Sequence, residues 1–95
     1  MPGYVIVDIE ILDQGKYDKY RQMAASSIQQ YGGAYIVRGG RIEPLEGDWR
    51  PERLAIVEFP SLERAKAWYD SLEYAPAKQI RQEASRGKIL IVEGV

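Results

Sequence analysis

The sequence contains no cysteine and no histidine. The first absence removes disulfides, thiolate nucleophiles and cysteine-bound zinc or iron–sulfur sites. The second removes the commonest general base and the commonest transition-metal ligand. No apolar run approaches the ~18 residues of a membrane span, and Met1-Pro2-Gly3 leads into a strand pattern rather than a secretory leader. The expectation is a cytoplasmic protein with no cofactor, no metal and no membrane partner. Neither sign of charge dominates: 13 Lys+Arg stand against 14 Asp+Glu, for a net charge of −1. With a pI near 5.4, no RNP-type run and no basic face to meet phosphates, no nucleic-acid partner is expected. Glu46-Gly47-Asp48 is too short for an EF-hand loop. The glycine pairs 32–33 and 39–40 follow or end elements rather than opening a helix after a strand, so neither is a phosphate cradle.

What is present is an ordinary globular balance, 45% hydrophobic and 28% charged over 95 residues. There are no repeats or linkers, and residues 1–95 read as a single domain. Residues 4–11 (YVIVDIEI) alternate at period two, which predicts a strand. Asp13 stands as an N-cap before a helix whose stripe is Tyr17, Tyr20, Ala24, Ile28 and Tyr31, stopped by Gly32-Gly33. Residues 34–38 and 53–59 read as strands. Ser61 caps a second helix with the stripe Leu62, Ala65, Tyr69 and Leu72 and with Trp68 beside it. Residues 74–85 read as a short third helix, Gly87 as punctuation, and 88–93 as the last strand. The order is βαββαβ: an α+β, ferredoxin-like domain whose antiparallel sheet carries helices on one face.

The other face is the informative one. The first strand presents Tyr4, Ile6, Asp8 and Glu10 there, and the third Leu54, Ile56 and Glu58. The second presents either Ile36 and Arg38 or Tyr35 and Val37, and the last either Ile89 and Ile91 or Leu90 and Val92. Every choice leaves large aliphatic groups at the centre. A soluble monomer rarely shows an apolar patch beyond ~300–600 Å², so a second copy packed sheet to sheet is the expected cover. Asp8, Arg38 and Glu58 are expected to share this surface. They would form either a structural salt-bridge network or a polar pocket between the sheets.

Residues 39–52 (GGRIEPLEGDWRPE) are long for a hairpin connection, and Arg41-Ile42-Glu43 could extend a strand. Trp49 lies in this loop with no stripe to explain it. It would pack on its own domain's edge, insert into a partner or lid a pocket. Glu46 and Arg50 flank it and would stand at a cavity mouth or form an exposed intra-loop pair. Arg81 on the third helix is read either as a solvated helix charge with its stem on apolar surface or as a holder of an anion.

The succession Tyr31-Gly32-Gly33, Arg38-Gly39-Gly40, Glu46-Gly47-Asp48-Trp49-Arg50-Pro51, Glu58-Phe59-Pro60-Ser61, Ala67-Trp68-Tyr69, Ser71, Tyr74 and Arg81 spans nearly the whole chain. It resembles an uncharacterised bacterial family, domain of unknown function thirteen-thirty, in the dimeric α/β-barrel superfamily. The resemblance implies a ferredoxin-like subunit paired sheet to sheet, with Arg38, Glu46, Trp49 and Arg81 at motif positions that resemble a pocket. The wider superfamily includes cofactor-free monooxygenases, lactone isomerases and haem-handling enzymes. A chain without histidine does not inherit the haem-ligating or histidine-base versions.

Two functional readings follow. One is a small-molecule pocket, for cofactor-free isomerisation or oxidation of a small organic acid. There Asp8, Glu46 or Glu58 would transfer protons and Arg38 or Arg81 would hold the anion. The other is a non-catalytic dimer that binds a metabolite or a protein.

Overall fold

Two periodicities build two layers. In the computed structural model, which describes residues 1–95, β1 is Gly3–Ile11, α1 Gln14–Gln30, β2 Ala34–Arg38, β3 Arg53–Phe59, α2 Leu62–Tyr69, α3 Ala75–Ala84 and β4 Ser85–Glu93. The Asp13 carboxylate accepts from the Lys16 amide at 3.0 Å and the Ser61 hydroxyl from the Arg64 amide at 3.1 Å, so α1 and α2 start at the caps that the sequence supplies. No helix is long and apolar enough to cross a membrane.

The strand order is β2-β3-β1-β4, antiparallel at every pairing. This is a mixed α+β, ferredoxin-like arrangement. Val5, Val7 and Ile9 of β1 and Ala55, Val57 and Phe59 of β3 turn toward the helices and are buried. They meet Tyr17, Tyr20, Ala24 and Ile28 of α1, Ala65 and Trp68 of α2, and Ala77 and Ala84 of α3. Trp68 is at the centre of this core rather than beside a stripe. Its ring centroid lies 4.0 Å from that of Tyr74 and 5.4 Å from that of Phe59, and its indole donates to the Ser27 hydroxyl at 3.0 Å. Leu72, expected on the apolar stripe, follows the end of α2 and is exposed.

The helices cover one face only, and the Cα atoms fill a slab of 35 × 34 × 17 Å. On the bare face the registers align Val37, Ile56, Ile6 and Leu90 into one apolar row across all four strands. A row of Ala34, Glu58, Tyr4 and Val92 lies on one side of it, and Leu54, Asp8 and Lys88 on the other.

Two expectations are corrected here. β4 begins at Ser85, so Gly87 lies inside the strand opposite Ile9 instead of punctuating it. In β2 the pairing runs Tyr35↔Val57 and then Val37↔Ile56, so Ile36 is an extra, bulged residue. Because side chains alternate at every step, one extra residue reverses the facing of all that follows. Arg38 thereby pairs with Ala55 and turns to the helix side, away from Asp8 and Glu58.

Candidate functional site

Residues 39–52 form no strand, so Arg41-Ile42-Glu43 do not extend β2; Arg41 and Glu43 make an exposed pair at 3.5 Å. The loop returns over the end of the bare sheet face. There the Trp49 indole donates from Nε1 to Asp8 Oδ2 at 2.7 Å. The contact fixes a large ring at the sheet's margin while leaving Trp49 60% exposed. A hollow of about 500 Å³ lies on one side, bounded by Asp8, Glu10, Trp49, Arg50, Arg86 and Lys88 among others. A second of about 490 Å³ is bounded by Ile6, Asp8, Asp48, Trp49, Lys88 and Leu90. Both hollows include Asp8, Trp49 and Lys88, so the indole stands as a wall between a polar compartment and a partly apolar one.

The register explains the charges. Asp8 pairs with Lys88, and Glu10 with Arg86, whose guanidinium reaches the Glu10 carboxylate at 3.0 Å. Arg50 and Lys88 have no such ion pair, so the groove offers cationic donors beside a carboxylate held by an indole. That set has the chemistry to match a small polar molecule with an anionic group and a neighbouring hydrogen-bond donor. No three acidic side chains gather as a metal-holding group.

The structure thus brings together Asp8, Trp49 and Arg50. Glu46 is exposed in the loop and does not line the groove. Glu58 shares the sheet face but sits four residues along from Asp8's row, about 13 Å away at the strand rise. It lies beside Tyr4, whose phenol is held above its ordinary value by partial burial first and by the Glu58 carboxylate second. Arg38 is on the opposite face, as described. Arg81 is neither solvated nor at the groove. It is 8% exposed in the helix layer, and its Nε donates to the Tyr74 hydroxyl at 3.2 Å, which shares a hydrogen bond of 3.0 Å with Tyr20. Lys88 and Arg86 are site residues that sequence reasoning missed. The signal for them was the β1–β4 register, which places a basic residue opposite each acid of β1.

Gly87 sets how closely β4 approaches this site. A Cβ at that position would lie 2.1 Å from the Asp8 carbonyl oxygen, and its φ is +153°. Gly87→Ala is therefore expected to push β4 off β1 at Asp8, costing about 2 kcal/mol. Urea unfolding checks the cost, and increased acrylamide quenching of Trp49 checks the loosened contact.

Among solved structures, a protein of unknown function from Rhodopseudomonas palustris is 18% identical, with a TM-score of 0.75 over 99% of this chain and 82% of that one. A Nitrosomonas europaea protein, provisionally described as an antibiotic biosynthesis monooxygenase, is 16% identical, with a TM-score of 0.54 over 100% of this chain and 99% of that one. A Caulobacter crescentus protein of the same provisional description is 12% identical, with a TM-score of 0.55 over 99% and 89%. At these identities the likeness is one of fold. No curated protein matches the sequence. The family is nonetheless defined, because residues 2–95 match the model described as Domain of unknown function (DUF1330), and the chain belongs to that family.

Proposed function

We propose that this chain acts as a two-fold homodimer, sheet against sheet, and that the groove framed by Asp8, Trp49 and Arg50 beside the interface holds a small polar organic molecule. The observation that carries this reading is the bare apolar row Val37–Ile56–Ile6–Leu90, extended by the exposed Ile36 and Val92. A continuous aliphatic band across four strands is unfavourable in water at roughly 25 cal/mol per Å². A two-fold axis through its centre would cover it with itself. Trp49, mostly exposed at the margin of that band, is one of the large aromatics that interfaces favour, and packing of the partner would cover it.

The Asp8–Trp49 hydrogen bond orients the carboxylate at the groove, engaging Oδ2 and leaving Oδ1 able to accept from a bound molecule. The oxidation named for the Nitrosomonas and Caulobacter proteins, or isomerisation of a small organic acid, would use that second oxygen as the proton acceptor.

Sedimentation at tens of micromolar tests the reading. The expected particle has about twice the mass of the 10.8 kDa chain. Ile56→Lys, which places an unpaired charge in the band, is expected to give a single chain with an unchanged circular dichroism spectrum. A wild-type particle of 10.8 kDa overturns the proposal.

A further inference from the structure

On the helix side of the sheet, away from the groove, three arginines converge on the mouth of a cleft between α1 and the β2–β3 edge. Arg21 comes from α1, Arg38 from the end of β2 and Arg53 from the start of β3. Arg21 and Arg38 line both an outer hollow of about 460 Å³, with Asp18, Gln22 and Ala25, and an inner slot that reaches Tyr17, Tyr35 and Trp68. The slot is closed to about 10 Å³, so a ligand's body would rest at its mouth, against the partly exposed Tyr35.

Three features prepare the cleft for an anion. The bulge at Ile36 re-aims Arg38 into it, and bulges are enriched beside functional sites. The guanidinium of Arg38 lies 4.6 Å above the Tyr35 ring and that of Arg53 lies 5.6 Å from the Tyr17 ring. Both guanidinium planes are therefore steadied. Arg53 Nε is buried with no hydrogen-bond partner, and neither Arg38 nor Arg53 has an ion pair; Asp18 accepts from Gln14 at 2.9 Å and pairs with Arg21 at 3.6 Å. Gly39 presses on this group, since a Cβ there would lie 2.3 Å from Arg53 Nη1.

We infer that this cleft is a second ligand site, which takes an aromatic monocarboxylate. The carboxylate bridges Arg38 and Arg53, and the ring lies against the partly exposed Tyr35. A fork of guanidinium donors matches a carboxylate's two oxygens, and the Tyr35 wall favours a flat apolar body over a fully hydrated ion.

Benzoate is the probe, followed through the arginine Nε–H signals in nitrogen–proton NMR spectra, with benzamide and inorganic phosphate as comparisons. Benzoate is expected to move the Arg38 and Arg53 signals saturably. Arg38→Gln, an exposed change that leaves the core untouched, is expected to weaken binding about tenfold, or ~1.4 kcal/mol. Arg53→Lys, which keeps the charge but loses the fork, is expected to weaken it similarly. Benzamide or phosphate binding as tightly as benzoate, no saturable response, or a benzoate response unchanged in both variants overturns the inference. The cleft lies within one chain, so its test stands apart from those of the dimer and the groove.

Discussion

Trp68→Ala is expected to remove about 3–5 kcal/mol of stability, the usual cost of deleting a fully buried large aromatic. Trp68 is 1% exposed, and its ring joins all the layers of the core. It stacks on Phe59 of β3 and on Tyr74 before α3, meets Tyr69 edge-on, and donates to Ser27 of α1. Alanine leaves a void between sheet and helices where no single neighbour can collapse. At about 0.05–0.15 kcal/mol per residue a chain of this size holds roughly 5–14 kcal/mol in all, so the loss is a large share of it. With a urea slope of about 2 kcal/mol per molar, the midpoint should fall by about 2 M. The comparison must be made at one protein concentration, because self-association would raise the apparent stability of both proteins. Trp68→Phe separates packing from hydrogen bonding. It keeps most of the ring and removes the indole donor, while Ser27 still donates to the Ala24 carbonyl at 2.9 Å, so a loss near ~1 kcal/mol is expected. A midpoint shift below about 0.5 M for Trp68→Ala would mean that this aromatic stack does not hold the layers together.

The layers were legible in the sequence because each rests on a local signal. Period-two aliphatics fixed β1 and β3, and Asp13 and Ser61 marked where α1 and α2 start. The bare face followed from the one-sided helix count, which needs no side-chain coordinates. The site was legible only where its residues lie on regular strands or in an unexplained loop, as Asp8 and Trp49 do. Arg38 was misplaced because a bulge leaves no mark in five residues reading AYIVR; only pairing with β3 shows that Ile36 is extra. Arg81 was misread because a charged residue on a helix is normally solvated. The hydroxyl that makes its burial tolerable belongs to Tyr74 at the start of the same helix, and that hydroxyl is in turn held by Tyr20 of α1, 61 positions from Arg81 in the chain. Lys88 and Arg86 became site residues through cross-strand register, a long-range property that composition does not carry.

The same tyrosines give the second large effect, in alkaline solution. Burial is the main cause that lifts the Tyr20 and Tyr74 phenols above their ordinary value. The neighbouring Tyr74 adds to the shift of Tyr20, and Arg81 opposes that of Tyr74 without cancelling it. In the unfolded chain both phenols ionise at about pH 10. Above that pH the unfolded state sheds protons that the native state keeps, so stability falls as pH rises; below it both states are protonated and no dependence arises. Each phenol contributes a slope of about 1.4 kcal/mol per pH unit, and the hydrogen-bonded pair together roughly 2.7. Urea midpoints should therefore be flat from about pH 7 to about pH 9 and drop steeply between about pH 10 and about pH 11.5. Tyr20→Phe removes one of these titrations and should take about 1.4 kcal/mol per pH unit off the slope, while Tyr74 keeps its contact with Arg81. Ultraviolet titration of the folded protein should show Tyr20 and Tyr74 silent near pH 10, ionising only as the chain unfolds, with Tyr4, Tyr31 and Tyr35 also titrating above the ordinary value. Seven phenols titrating together near that pH in the folded state, or a midpoint that holds level to about pH 11.5, would show that the buried pair is open to solvent.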